Sequence, residues 1–176
     1  DNPHSPYAGE TFSQEAAEQL AAEFVEINNA IIDHVHGHGL LAWTHNCRGN
    51  YDSRNMGAGS YAKIAEQILK PLRYDRFFLE WDDDRAGSLE ALQVFADRPD
   101  VEIVLGLLSS KTSTLDDETR VVSLMDEAAQ IIDKDRLYLS HQCGFASTDN
   151  GNELSPDEQW AKIRQGQQIA ADYWGV

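Results

Sequence analysis

The stretch VEIVLGLLSSKTSTLDDETRVVSLMDEAAQIIDKDRLYLSHQC, residues 101–143, decides the fold. Its apolar opening, Val101 to Leu108, reads as a buried strand, and Asp117 to Ile132 as a helix. Leu137-Tyr138-Leu139-Ser140 reads as the next strand. A strand, a helix and a strand in succession make a parallel βαβ unit. Working outward, Arg76 to Trp81 is a strand followed by a helix from about Leu89 to Ala96. Before it, Leu40-Leu41-Ala42-Trp43-Thr44 reads as a short buried strand, and Tyr61 to Leu69 is helical and stops before Pro71. Ser13 to Asp33 carries Ala17, Leu20, Phe24, Ile27 and Ile31 at spacings of three and four, the mark of an amphipathic helix capped by Thr11 or Ser13. The last helix runs from Pro156 to Trp174 behind Ser155 as its cap.

Four short apolar strands, each followed by a helix, give a parallel α/β fold read as a single domain over residues 1–176. The first recognisable element is a helix, as though the chain were cut from something longer. A full (β/α)8 barrel needs roughly 250 residues, so 176 amount to a little more than half of one. A doubly wound sheet of four or five strands is the alternative. No Gly-x-Gly-x-x-Gly loop follows a strand, so a dinucleotide site has no support.

Composition narrows the partners. With 41% hydrophobic and 25% charged residues the chain is not generally disordered. A net charge of −16 repels phosphate backbones, which argues against nucleic acid and against an anionic membrane surface. No apolar run approaches the length of a membrane helix. Asp1 to Pro6 has neither the basic nor the apolar region of a signal peptide, so a cytoplasmic setting is expected. Cys47 and Cys143 are too few for a disulfide scaffold and read as thiols, ligands or nucleophiles.

In parallel α/β folds the chemistry sits at the C-terminal ends of the strands. Those ends carry His45-Asn46-Cys47, Glu80, Ser109-Ser110-Lys111-Thr112 and His141-Gln142-Cys143. His45 and Cys47, two apart, point to the same side of an extended segment. Imidazole, thiolate and carboxylate together suit Zn2+. Blander readings stand beside this one. Cys143 could be a buried core cysteine, His45 a satisfied core histidine, and Glu80 a simple partner of Arg85 or Arg48. His34, His36 and His38 sit at a helix C-terminus, where histidine suits the dipole. Asp82-Asp83-Asp84 reads as a solvated loop, with Asp82 set apart because it lies two residues beyond Glu80. Arg48-Gly49-Asn50 follows the first ligand pair and could orient it. Trp160, Tyr173 and Trp174 read as core or inter-chain packing.

The segments THNCRGNY (44–51), FFLEWDDDRAG (77–87), LGLLSSKTSTLDD (105–117), LSHQCGFAST (139–148) and LSPDEQWAKIRQGQQIA (154–170) resemble the C-terminal catalytic half of the cobalamin-independent methionine synthase family. The shorter bacterial branch is the best match. The resemblance implies the C-terminal half of a (β/α)8 barrel, with zinc held by His45, Cys47, Glu80 and Cys143. It implies a methyl transfer from a 5-methyl folate to the thiolate of homocysteine, giving methionine. A related zinc enzyme with another donor, methylcobalamin or an S-methyl compound, is the alternative, as is a non-catalytic half-barrel. Where longer members place a proton-donating histidine, this chain has Ser109-Ser110-Lys111, which makes Lys111 the candidate donor-side acid. Asp1, in Asp1-Asn2-Pro3, resembles the family's contact for the homocysteine amino group; Asp82 and Ser109 are further candidate substrate contacts. The first half of the barrel is absent from this chain, so a homo-oligomer or pairing with a separate N-terminal half is expected.

Overall fold

The computed structural model describes residues 13–50, 53, 59–146 and 148–175. Asp1 and Thr11 lie outside the described residues. Four strands, β1 (Trp43–Asn46), β2 (Arg76–Glu80), β3 (Glu102–Leu108) and β4 (Leu137–His141), pair in parallel in the order β1-β2-β3-β4. This strictly sequential order is that of half a (β/α)8 barrel. A doubly wound sheet would reverse direction at a switch point, and this one does not.

β3 is the central plank. Ile103, Leu105 and Leu107 are fully buried, and β2 adds Phe77 and Leu79 to the same layer. Helix α2 (Glu118–Ala128) covers them with Val121, Met125 and Ala128, and α3 (Pro156–Trp174) adds Ile169. Each such Val, Leu, Ile, Phe or Met side chain contributes about 1.5–3 kcal/mol on burial. The α3 start is as expected: Ser155 accepts from the Glu158 N–H, Glu158 accepts from the Ser155 N–H, and Pro156 occupies the first turn. Tyr173 and Trp174 pack against the core, whereas Trp160 is exposed.

Several elements differ from expectation. The stretch 61–69, expected as one helix, is a 3₁₀ turn (Tyr61–Lys63) followed by a π turn (Ala65–Leu69), and Leu89–Phe95 is 3₁₀ as well. Such short segments have too few hydrogen bonds to enforce α geometry, so their backbones yield to tertiary contacts. Arg98 satisfies carbonyls just beyond the π turn, donating to the oxygens of Lys70 (3.1 Å) and Leu72 (2.9 Å). The first strand begins at Trp43, and Leu40, Leu41 and Trp43 are exposed because β1 is an edge.

The largest correction concerns α1 (Gln14–Gly37), whose Ser13 cap accepts from Ala16 N–H at 3.1 Å. Its apolar stripe of Leu20, Phe24, Ile27 and Ile31 is 48–63% exposed. No strand among the described residues precedes α1 to receive that face. The helix docks instead through Ile32 and buried Asn29, which bonds the Pro71 carbonyl (2.9 Å) and the Arg73 N–H (3.0 Å).

Side chains alternate along each strand, so residues opposite the helix-covered core face the concave side of the sheet. There Arg76 lies between the rings of Trp43 and Tyr138, 4.2 and 4.6 Å from their centroids. It pairs with Glu102 through Nε at 2.6 Å, and the Tyr138 hydroxyl donates to the same carboxylate at 2.8 Å. Nearer the C-terminal rim, Gly106 pairs with Glu80 on one side and Ser140 on the other. A Cβ at Gly106 would stand 2.9 Å from the Leu79 carbonyl oxygen and 3.0 Å from Gln142 Cα, both backbone atoms. Gly106→Ala is therefore expected to lower stability by about 1–3 kcal/mol, read as a lower denaturant midpoint. A wild-type midpoint would show that the rim strands move apart freely.

Candidate metal centre

β1, β2 and β4 each end at the same rim, and the residues at those ends converge. Laid flat, three strand spacings would hold β1 and β4 about 14 Å apart. The curvature of the sheet and the inward turn of the loops cancel that distance: Cys47 Sγ and Cys143 Sγ are 3.5 Å apart. His45 Nε2 lies 3.7 Å from Cys143 Sγ and 3.1 Å from Glu80 Oε1. Among the described residues, His45, Cys47, Glu80 and Cys143 thus bring four ligand-type atoms within 4.8 Å of one another.

The donor set fits zinc. With bonds of about 2.0–2.3 Å, tetrahedral ligand atoms stand about 3.3–3.8 Å apart, and the observed sulfur–sulfur and sulfur–nitrogen separations fall in that range. Glu80 is 1% exposed, and its Oε1 has no hydrogen bond of acceptable geometry although it faces His45 Nε2. A buried carboxylate oxygen without a donor is expensive, and a cation in the cluster removes that expense. Histidine, two thiolates and one carboxylate are zinc ligands by chemistry.

Glu80 and Cys47 are held from behind. Glu80 Oε2 accepts the Arg48 backbone N–H at 3.0 Å, while the Arg48 guanidinium donates to the Arg85 carbonyl (2.8 Å) and lies over the Tyr61 ring. Arg85 pairs with Asp83, not with Glu80. The Glu80 N–H donates to the Tyr61 hydroxyl at 2.9 Å, and that hydroxyl donates to the Asn46 carbonyl at 3.3 Å. Burial raises the Tyr61 phenol far above its ordinary value, and the Glu80 charge adds to the effect, so it stays a neutral donor. Cys47 Sγ accepts the Gly49 N–H at 3.3 Å, a geometry that Gly49 reaches with φ of 95°.

The other sequence candidates lie close by. Asp82 and Lys111 form a buried ion pair at 2.6 Å, 5 and 6% exposed. Burial pushes the Asp82 carboxyl above its ordinary value, and the Lys111 ammonium opposes that push. Ser109 is tied to the loop after β3: its Oγ accepts the Lys111 N–H, and its own N–H donates to Asp116. Near the end of α1, His36 pairs with Asp75, and the His38 ring bonds the His34 carbonyl and packs on the His34 ring. A cleft of about 620 Å³ opens beside the cluster on the concave face, lined by Trp43, His45, Phe78, Cys143 and Phe145 among others. Sequence reasoning missed Tyr61, which sits in a segment read only as helix. No local pattern marks a tyrosine whose partner is 19 residues away.

No family model matches the chain. Two curated relatives do, both uncharacterized proteins of Bacillus subtilis strain 168. YxjH is 44% identical over 158 residues, covering 89% of this chain and 41% of the relative. YxjG is 43% identical over 148 residues, covering 84% and 38%. The chain therefore spans less than half the length of these relatives. Among solved structures, a Listeria monocytogenes protein assigned as a vitamin-B12-independent methionine synthase superposes with a TM-score of 0.68 at 32% identity, over 95% of this chain and 44% of that one. A B12-independent methionine synthase from Shewanella sp. W3-18-1, solved with selenomethionine, gives 0.64 at 18% identity over 90% and 46%, a likeness of fold. The chain shares its half-barrel fold with proteins of the cobalamin-independent methionine synthase type.

Tyr61→Phe keeps the ring and removes the hydroxyl that takes the Glu80 N–H. The buried donor is left unpaired, and a loss of about 1–3 kcal/mol is expected in chemical denaturation. An unchanged midpoint would mean that Glu80 is not held through Tyr61.

Proposed function

We propose that this chain is the zinc-holding half of a thiol methyltransferase, with His45, Cys47, Glu80 and Cys143 as the ligands. The supporting observation is the convergence of those four ligand atoms at the rim of a methionine synthase-type half-barrel. The proposed acceptor is homocysteine, the donor a 5-methyl folate and the product methionine. Zinc at this position supplies one thing, a substrate thiol kept as thiolate at neutral pH. The chain's own residues supply the rest. Cys47, Cys143 and Glu80 would put three negative charges around the dication, which would keep a bound sulfur electron-rich. Glu80, fixed by Tyr61 and the Arg48 N–H, and His45, 3.1 Å from it, hold the geometry. The methyl group passes to sulfur, and the electron pair of the broken bond stays on the donor nitrogen, which takes up a proton. Two residues beyond Glu80, Asp82 Oδ2 shares a proton with Lys111 Nζ at 2.6 Å, and that pair is the proposed donor-side acid. Ser109 supports it through the Lys111 N–H.

A second reading keeps the zinc and the thiol and changes the donor to methylcobalamin or an S-methyl compound. Ser109-Ser110-Lys111, standing where longer members place a histidine, favours it, because a cobalt(I) leaving group needs no proton. Elemental analysis of untagged protein is expected to show about one zinc per chain, lost in Cys47→Ala and Cys143→Ala. Turnover assays with homocysteine and each donor in parallel then separate the two readings. Retained stoichiometric zinc in Cys143→Ala would overturn the ligand set, and zinc with no homocysteine-dependent turnover would leave a non-catalytic half-barrel.

The exposed stripe of α1 and the outer edges of β1 and β4, unpaired among the described residues, belong to the same proposal. They are surfaces for the complementary half of a barrel. Sedimentation is expected to show self-association of the isolated chain or association with the missing half; a monomer that melts cooperatively and binds neither would count against it.

A further inference from the structure

Three of the four strand ends carry a ligand-type residue, and the fourth, the end of β3, carries none. It is nevertheless the point at which all three ligand-bearing segments are tied. Ser110, wholly buried, has its N–H on Gln142 Oε1 at 2.6 Å, and its hydroxyl reaches the Gly144 carbonyl at 3.0 Å and Gln142 Oε1 at 3.1 Å. Gln142 and Gly144 are the two neighbours of Cys143, so Ser110 grips the peptide on both sides of that sulfur. Asn50, 4% exposed and three residues beyond Cys47, donates to Ser110 Oγ (3.4 Å) and to the Gly144 carbonyl (3.1 Å). The loop after β1 and the loop after β4 are thereby bolted to one hydroxyl. The Ser110 carbonyl is itself taken by Asn152 at 2.8 Å. The next residue, Lys111, pairs with Asp82, two residues beyond Glu80.

Neither cysteine lies in a strand, so no ladder fixes the separation of their sulfurs. Cys47 follows the last residue of β1 and Cys143 comes two residues after the end of β4. We infer that Ser110 is the positioning residue of the metal centre: through Gln142, Gly144 and Asn50 it sets the spacing of Cys47 and Cys143. This inference rests on the zinc-site reading above and adds to it a residue that touches no metal. Groups behind a metal's ligands typically change its affinity by 10- to 100-fold when removed.

The test uses Zn2+ affinity by competition with a chromophoric chelator, and the absorption spectrum of the Co2+-loaded protein, whose thiolate charge-transfer bands report the cobalt–sulfur geometry. Ser110→Ala is expected to weaken Zn2+ binding about 10- to 100-fold and to alter the per-ion Co2+ spectrum. Val121→Ala, a fully buried core truncation on α2, is the control; it is expected to lower the denaturation midpoint yet keep the wild-type affinity and spectrum. Asn50→Ala removes the tether from the β1 side and carries the same expectation, so the inference remains testable if Ser110→Ala fails to fold. Wild-type affinity and spectrum in both Ser110→Ala and Asn50→Ala would overturn the positioning role while the zinc site stood. Equal losses in Val121→Ala would overturn it too, by reducing the effect to stability. A wild-type chain that takes up neither ion would overturn the zinc-site reading, and this inference with it.

Discussion

The curvature of the four-stranded sheet is the constraint on which the rim depends. Parallel strands in sequential order would place β1 and β4 far apart at the two edges of a flat ribbon, yet their following loops meet at a sulfur–sulfur distance of 3.5 Å. The bend is permitted by Gly106, whose missing Cβ lets the backbones of β2 and of the segment after β4 approach from both sides. It is supported on the concave side by the Arg76–Glu102 pair, clamped between Trp43 and Tyr138. Each of these groups comes from a different strand, so the layer holds only when all four are in register.

Glu80 shows how the curvature becomes chemistry. A carboxylate at 1% exposure must have its lone pairs met or lose its charge. One oxygen is met by the Arg48 N–H, and the other points at His45 and the two sulfurs. The strand that ends in Glu80 is held in turn by the Tyr61 hydroxyl, which makes a phenol in a short 3₁₀ turn part of the site's framework.

Much of the fold was legible because periodicity and capping are local. The Ser155-Pro156 start of α3 and the apolar run of β3 needed no tertiary information. The cluster was legible too, because the fold class places strand ends together and the ligand-type residues fall there. The misreadings have one physical source. Sequence patterns report which face of a segment is apolar but not whether anything covers it, so the α1 stripe and the Leu40–Leu41 pair were expected inside and are exposed. The connectors between β1 and β3 were misread for a related reason, since a short amphipathic segment takes the helical pitch its neighbours demand. Ser110 was visible in a run of small polar residues, but its bonds span 32 and 34 positions, beyond the reach of any spacing rule.

The sequential strand order has a kinetic meaning. Each strand pairs with the one before it, so the sheet can zip in short loop closures, one βα unit at a time, without waiting for a distant partner. The rim cluster draws on the first strand, the second and the segment after the last. Its four ligand atoms therefore come together only at the end of that sequence. Occupancy of the cluster would report complete zipping of the sheet, and partly zipped forms would have no means of retaining an ion.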